Sequence, residues 1–66
     1  MEDELEQAKV YRRKARQARV KAEAMRDSNA RETMLQIATD YESIANTLEA
    51  LIRSRATLKR LDDEAE

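Results

Sequence analysis

The sequence predicts an all-α protein, an antiparallel two-helix hairpin that dimerises into a four-helix bundle. Three observations carry the prediction. Small and apolar residues recur at heptad spacing in the first third of the chain, a bulkier heptad pattern fills the remainder, and one short polar break, Asp27-Ser28-Asn29, lies between them. Alternating steps of three and four residues mark a helix that presents one face to a partner. The chain contains no glycine or proline that would interrupt such a pattern.

The first helix is predicted over about residues 3–26. Ala8, Ala15 and Ala22 recur at seven, with Tyr11, Ala18 and Met25 interleaved. Charge supports the same span. Glu2, Asp3, Glu4 and Glu6 open the segment, and a basic run from Lys9 to Arg26, interrupted only by Glu23, follows. Carboxylates suit the positive N-terminal end of a helix macrodipole and cations its negative C-terminal end.

The turn is predicted at 27–29. Asp27, Ser28 and Asn29 are all competent N-caps, with side-chain oxygens able to accept from the unpaired N–H groups of the next helix. Asn29 with Glu32 also has capping-box spacing. The second helix is predicted over about residues 30–61. Met34, Tyr41 and Leu48 form one series and Ile37, Ile44, Leu51 and Leu58 another, flanked by Ala38, Ala45 and Ile52. Its closing acids, Asp62, Asp63, Glu64 and Glu66, sit at the wrong end of the dipole, so 62–66 is predicted to be a frayed tail.

Complementarity between the two stripes favours a fold at Ser28 over one unbroken helix. Pairing residues whose numbers add to about 56 sets Ala22 against Met34, Ala18 against Ala38, Ala15 against Tyr41, Tyr11 against Ala45 and Ala8 against Leu48. Every pair contains an alanine. Small residues facing large ones let two helices approach near the lower end of the usual 8–10 Å separation. These ten residues are the predicted hairpin core. Both tyrosine hydroxyls are expected to reach the bundle edge or a polar partner.

That core leaves Ile37, Ile44, Leu51 and Leu58 at the edge of the second stripe, and they are the predicted dimer interface. A chain of 66 residues is marginally stable alone and needs a supplement. With no cysteine and no histidine, disulfides and structural metals are not the supplement the composition favours, which leaves self-association or a heterologous protein partner. An apolar seam of this length on a small protein marks an interaction surface.

Chemistry is sparse. Asp40, Glu42 and Glu49 are carboxylates that could serve acid–base work or hold a metal, but neither histidine nor a carboxylate falls within the central seam. No catalytic residue, metal ligand or cofactor is predicted, and the protein is read as non-enzymatic. The strongest alternative is RNA or DNA binding through the first helix, with Arg12, Arg13, Arg16 and Arg19 as contacts. A short hairpin dimer is similar in architecture to the RNA-binding Rop bundle, a likeness of fold that does not itself carry function. Against this alternative stand a net charge of −1 and the want of a free aromatic to stack on bases. Charged residues on the outside of a bundle are more simply a solvated face. Membrane-surface binding fares worse, because the apolar face of the first helix is mostly alanine. No apolar run approaches a membrane span, and the acidic start is unlike a signal sequence, so a cytoplasmic location is expected.

The stretch from Ala24 to Ala45 resembles a signature of short alphaproteobacterial proteins of unassigned function, roughly A-x-M-x-D-x-x-A-R-x-x-M-L-x-I-A-x-x-Y-E-x-L-A. Met25, Asp27, Ala30, Arg31, Met34, Leu35, Ile37, Ala38, Tyr41, Glu42 and Ala45 match, and Ile44 stands where leucine is frequent. Members of that family often carry proline after the aspartate, an arrangement that makes Asp27 the N-cap and position 28 the first helical residue. Here Ser28 replaces the proline. The resemblance covers about a third of the chain and implies a helical hairpin without implying an activity.

Overall fold

The computed structural model describes residues 3–65, and two helices, α1 (Glu4–Ala24) and α2 (Ser28–Ala65), account for almost all of them. Asp3 caps α1, its Oδ1 accepting from the Leu5 N–H at 3.2 Å, with Glu4 and Glu6 in the first turn and Lys21 in the last. The helix ends where Met25 turns extended (φ −84°, ψ 135°) while its N–H still donates to the Ala22 carbonyl at 3.1 Å. Arg31 reaches back across the break and donates to the Met25 carbonyl at 2.7 Å.

The break therefore occupies 25–27 and not the predicted 27–29, and α1 stops two residues short of 26. Asp27 decides this. Its Oδ1 accepts from the N–H groups of Asn29 at 2.9 Å and Ala30 at 3.4 Å, and its carbonyl accepts from Arg31 at 3.0 Å. Among three caps of similar intrinsic preference, the carboxylate adds a charge-assisted bond that the dipole favours. Once Asp27 caps, Ser28 and Asn29 become first-turn residues, and the Asn29–Glu32 capping box is not used. No described residue has positive φ, which is why the connection needs no glycine.

The predicted helix end at 61 is also corrected, since α2 continues through Asp62, Asp63 and Glu64 to Ala65. Opposing a dipole costs only about 0.3–1 kcal/mol per charge. That does not stop a helix that lacks any glycine or proline, and Lys59 and Arg60 stand four residues before Asp63 and Glu64 to offset it. Glu66, the last residue of the predicted tail, lies outside the described residues.

The two helices run antiparallel, as the descending order of the contacts Glu4–Arg55, Arg12–Glu49 and Arg19–Glu42 shows. Their residue numbers add to 59 and 61 on this flank. On the other flank Tyr11 meets Tyr41, which add to 52, with ring centroids 5.9 Å apart and planes tilted by 32°. The predicted register of about 56 falls between the flanks. The tyrosines, each set against an alanine by that register, thus also touch each other.

Burial follows from having a single layer of two helices. Ala8, Ala15, Ala18, Ala22, Ala38 and Ala45 are buried, whereas Tyr11, Met34, Tyr41 and Leu48 are half-buried. Only a methyl group is short enough to be enclosed along the line between two cylinders. Larger side chains keep one side in water, and none among the described residues is fully buried. The molecule measures 60 × 20 × 13 Å with a radius of gyration of 16.7 Å, against about 11 Å for a compact domain of this length. Its long axis is close to the ~57 Å expected of a 38-residue helix. α1 is too short to follow α2 throughout, and every residue from Arg53 to Ala65 is exposed.

Candidate functional site

The seam between α1 and α2 has two unlike flanks, and the difference between them locates the candidate site. One flank is closed by ion pairs. Arg12 donates from Nη2 to Glu49 and to Asn46 Oδ1 (2.8 Å), Arg19 donates to Glu42, and Arg55 donates to Glu4. The hydrogen bond between Arg12 and Glu49 raises the guanidinium pKa above its ordinary value and lowers that of the carboxylate. These side chains remain between a third and two-thirds exposed, so the ladder is screened by water and contributes more to register than to stability.

The ladder reassigns half of the arginines predicted to meet nucleic acid. Arg12 and Arg19 are half-buried and turned onto α2, while Arg13 and Arg16 stay exposed and form no ion pair among the described residues. Lys9 pairs with Glu6 at 3.6 Å one turn earlier. What remains of the basic stretch is a narrow outward strip beside Val20, which is 65% exposed.

The other flank is apolar and open. Gln7, Val10, Tyr11 and Lys14 of α1 and Ile44 and Leu48 of α2 line a shallow groove along it. The Lys14 ammonium stands 6.0 Å from the Tyr41 ring centroid, at the outer limit of a cation–π contact. From this groove the predicted interface series extends along α2. Ile37 is 37% exposed, Ile44 41%, Leu51 44% and Leu58 62%, and Leu61 continues the stripe at 53%.

The surface next to that series carries no charge. At 3.6 residues per turn, nine residues between 43 and 61 fall on one face of α2, and they are serine, isoleucine, threonine, alanine or leucine only. All nine are exposed. In a chain that is 41% charged, so long an uncharged exposed face stands apart, and depletion of charge is what distinguishes the centre of an interface from ordinary surface.

Among the described residues no cluster of three metal-ligating side chains occurs, and no helix is long and apolar enough to cross a membrane. Asp40 accepts from Gln36 at 3.0 Å, and Glu42 and Glu49 are engaged in the ladder, so each of the three carboxylates singled out in the sequence has a partner. The ladder itself was missed by reading the arginines as a block. Its signal is present, since Arg12 and Arg19 are seven apart and so are Glu42 and Glu49.

The fold and its surfaces define a class, a small all-α hairpin with one ionic and one apolar flank. No protein-family model, curated protein or solved structure matches the chain.

Proposed function

We propose that this chain is a small, non-enzymatic, cytoplasmic interaction or regulatory module that self-associates through α2 as a homodimer, two hairpins forming a four-helix bundle. The single observation that supports the reading is the contrast between what is enclosed and what is not. The enclosed side chains are alanines, while Ile37, Ile44, Leu51 and Leu58 are exposed, the last three on the uncharged face between 43 and 61. A two-fold contact covers that face on both copies with the same residues. A heterologous helix with a matching apolar stripe would compete for the same surface, which is how such a module would be regulated.

Magnitudes indicate how much surface the dimer requires. Full burial of an isoleucine or leucine is worth about 1.5–3 kcal/mol. At roughly half exposure each of the four yields about 1 kcal/mol, or about 8 kcal/mol for two copies. Association costs about 4–15 kcal/mol. The four residues alone sit inside that range, so a stable dimer needs the rest of the uncharged face as well.

Light scattering tests the reading. The wild-type chain should have twice its 7.7 kDa mass at micromolar concentration, and Ile44→Glu should give monomer or unfolded chain. A wild type that is folded and monomeric at such concentrations refutes it. Nucleic-acid binding through α1 is the competing reading, supported by exposed Arg13 and Arg16. It requires a gel shift that weakens steeply with salt and is lost in Arg13→Gln/Arg16→Gln.

A further inference from the structure

Residues 53–65 project beyond α1, yet they continue the uncharged face that begins at Ser43. Apart from the Arg55–Glu4 ion pair at its start, this overhang makes no ion pair or hydrogen bond to α1 among the described residues. It is about 20 Å long. Asp62 on the overhang and Lys14 on the rim of the apolar groove are among the charges that form no ion pair among the described residues, and they are of opposite sign. Asp62 follows Leu58 by four residues and so points to the same side of α2.

We infer that the overhang of each copy lies in the Tyr11–Ile44 groove of the other, antiparallel to its α2, with Asp62 against Lys14 of the partner copy. The inference rests on the self-association proposed above and names the segment that occupies the site. An isologous contact is centred on the middle of its own patch, here residue 52 between 43 and 61, next to Leu51. Residue 62 then lies level with residue 42 of the second copy, next to Tyr41, whose ring the Lys14 ammonium approaches. The 6.0 Å approach of Lys14 to the Tyr41 ring places it at that level. Leu58 and Leu61 then lie level with residues 46 and 43 of the second copy, within about 3 Å along the axis of Ile44 and Tyr41, so the apolar stripe is compatible with the register of the charge pair. The arrangement also gives the terminal acids of α2, unfavourable to their own dipole, a cation supplied by the other chain.

Because the chain has no cysteine, disulfide trapping is clean. In the full-length Lys14→Cys/Asp62→Cys variant the two sites are about 30 Å apart within one chain, far beyond the roughly 7 Å Cα separation a disulfide spans. Oxidation should nevertheless yield covalent dimer on a non-reducing gel, as should Leu51→Cys near the axis, while Val20→Cys on the outer face of α1 should not. Asp62→Lys and Lys14→Glu should each weaken dimerisation roughly tenfold, and the combined variant should recover to within about threefold of wild type. A wild-type dimer in which the 14/62 pair does not cross-link and the reversals have no effect overturns this inference and leaves self-association standing. A folded wild-type monomer overturns both.

Discussion

Replacing Ala45 by glycine removes one methyl group from the seam, and the cost follows from the fold. Ala45 is fully buried in mid-helix, at the level where Arg12 donates to Asn46 and Glu49. Glycine loses about 1 kcal/mol of helix propensity relative to alanine, and about 0.8 kcal/mol of methyl burial is lost with it. The same change at Ala56, exposed on the overhang, should cost only the propensity component. For a domain of this size each kcal/mol lowers Tm by about 4–8 °C, so Ala45→Gly should melt about 7–14 °C below wild type and Ala56→Gly about 4–8 °C below. Ala45→Leu adds bulk where α1 faces α2 and should destabilise by about 1–3 kcal/mol, although leucine is a good helix former. Far-UV circular dichroism melts at one fixed protein concentration measure all three, since the proposed association would make Tm depend on concentration. If Ala45→Leu melts at or above the wild-type temperature, the two helices are not packed across an alanine seam.

The remaining predictions concern the cap and the ladder. Asp27→Ala should cost about 0.5–2 kcal/mol because two N–H groups lose their acceptor, whereas Asn29→Ala should stay within about 0.5 kcal/mol; equal effects in urea melts would return the cap to Asn29. In the ladder, Arg12→Glu should lower Tm and Arg12→Glu/Glu49→Arg should restore most of the loss, with the difference shrinking in 1 M salt; a double variant no better than the sum of its singles disproves the pairing. Because Glu49 has its pKa lowered in the folded state by the hydrogen bond from Arg12, the pair's contribution is complete above about pH 4.3 and is lost as pH falls through the lower folded value. The Tm gap between wild type and Glu49→Gln should therefore close on acidification below about pH 4, and a gap that stays constant to pH 2 contradicts it.

The seam was readable because alanine at intervals of seven in one segment and bulk at intervals of seven in the other admit few registers, with Ala15 and Tyr41 at the middle of the pairing. The exact turn was not readable. Three adjacent residues can each cap a helix, and the choice rests on Asp27 carrying a charge where Ser28 and Asn29 carry only dipoles. The end of α2 was not readable either, for want of any residue that stops a helix. Fraying had to be inferred from charge alone, and charge at a terminus is too weak to enforce it.

The ionic flank was hidden by the habit of treating a basic run as one surface. Applying the register to positions beside the seam pairs residues whose numbers add to 61, and Arg12 with Glu49 and Arg19 with Glu42 satisfy it. On the opposite flank the same operation pairs Gln7 with Ile44 and Lys14 with Ile37, combinations with no charge to match. One side of the hairpin is thus neutralised from within, and the other is left with aliphatic residues beside polar stems. An extended two-helix layer with both flanks ionic would have little reason to associate, and one with both flanks apolar would aggregate without a preferred order. With one flank of each kind, the hairpin leaves the groove beside Tyr11 and Ile44 as its uncovered apolar edge, the place where the proposed second copy would dock.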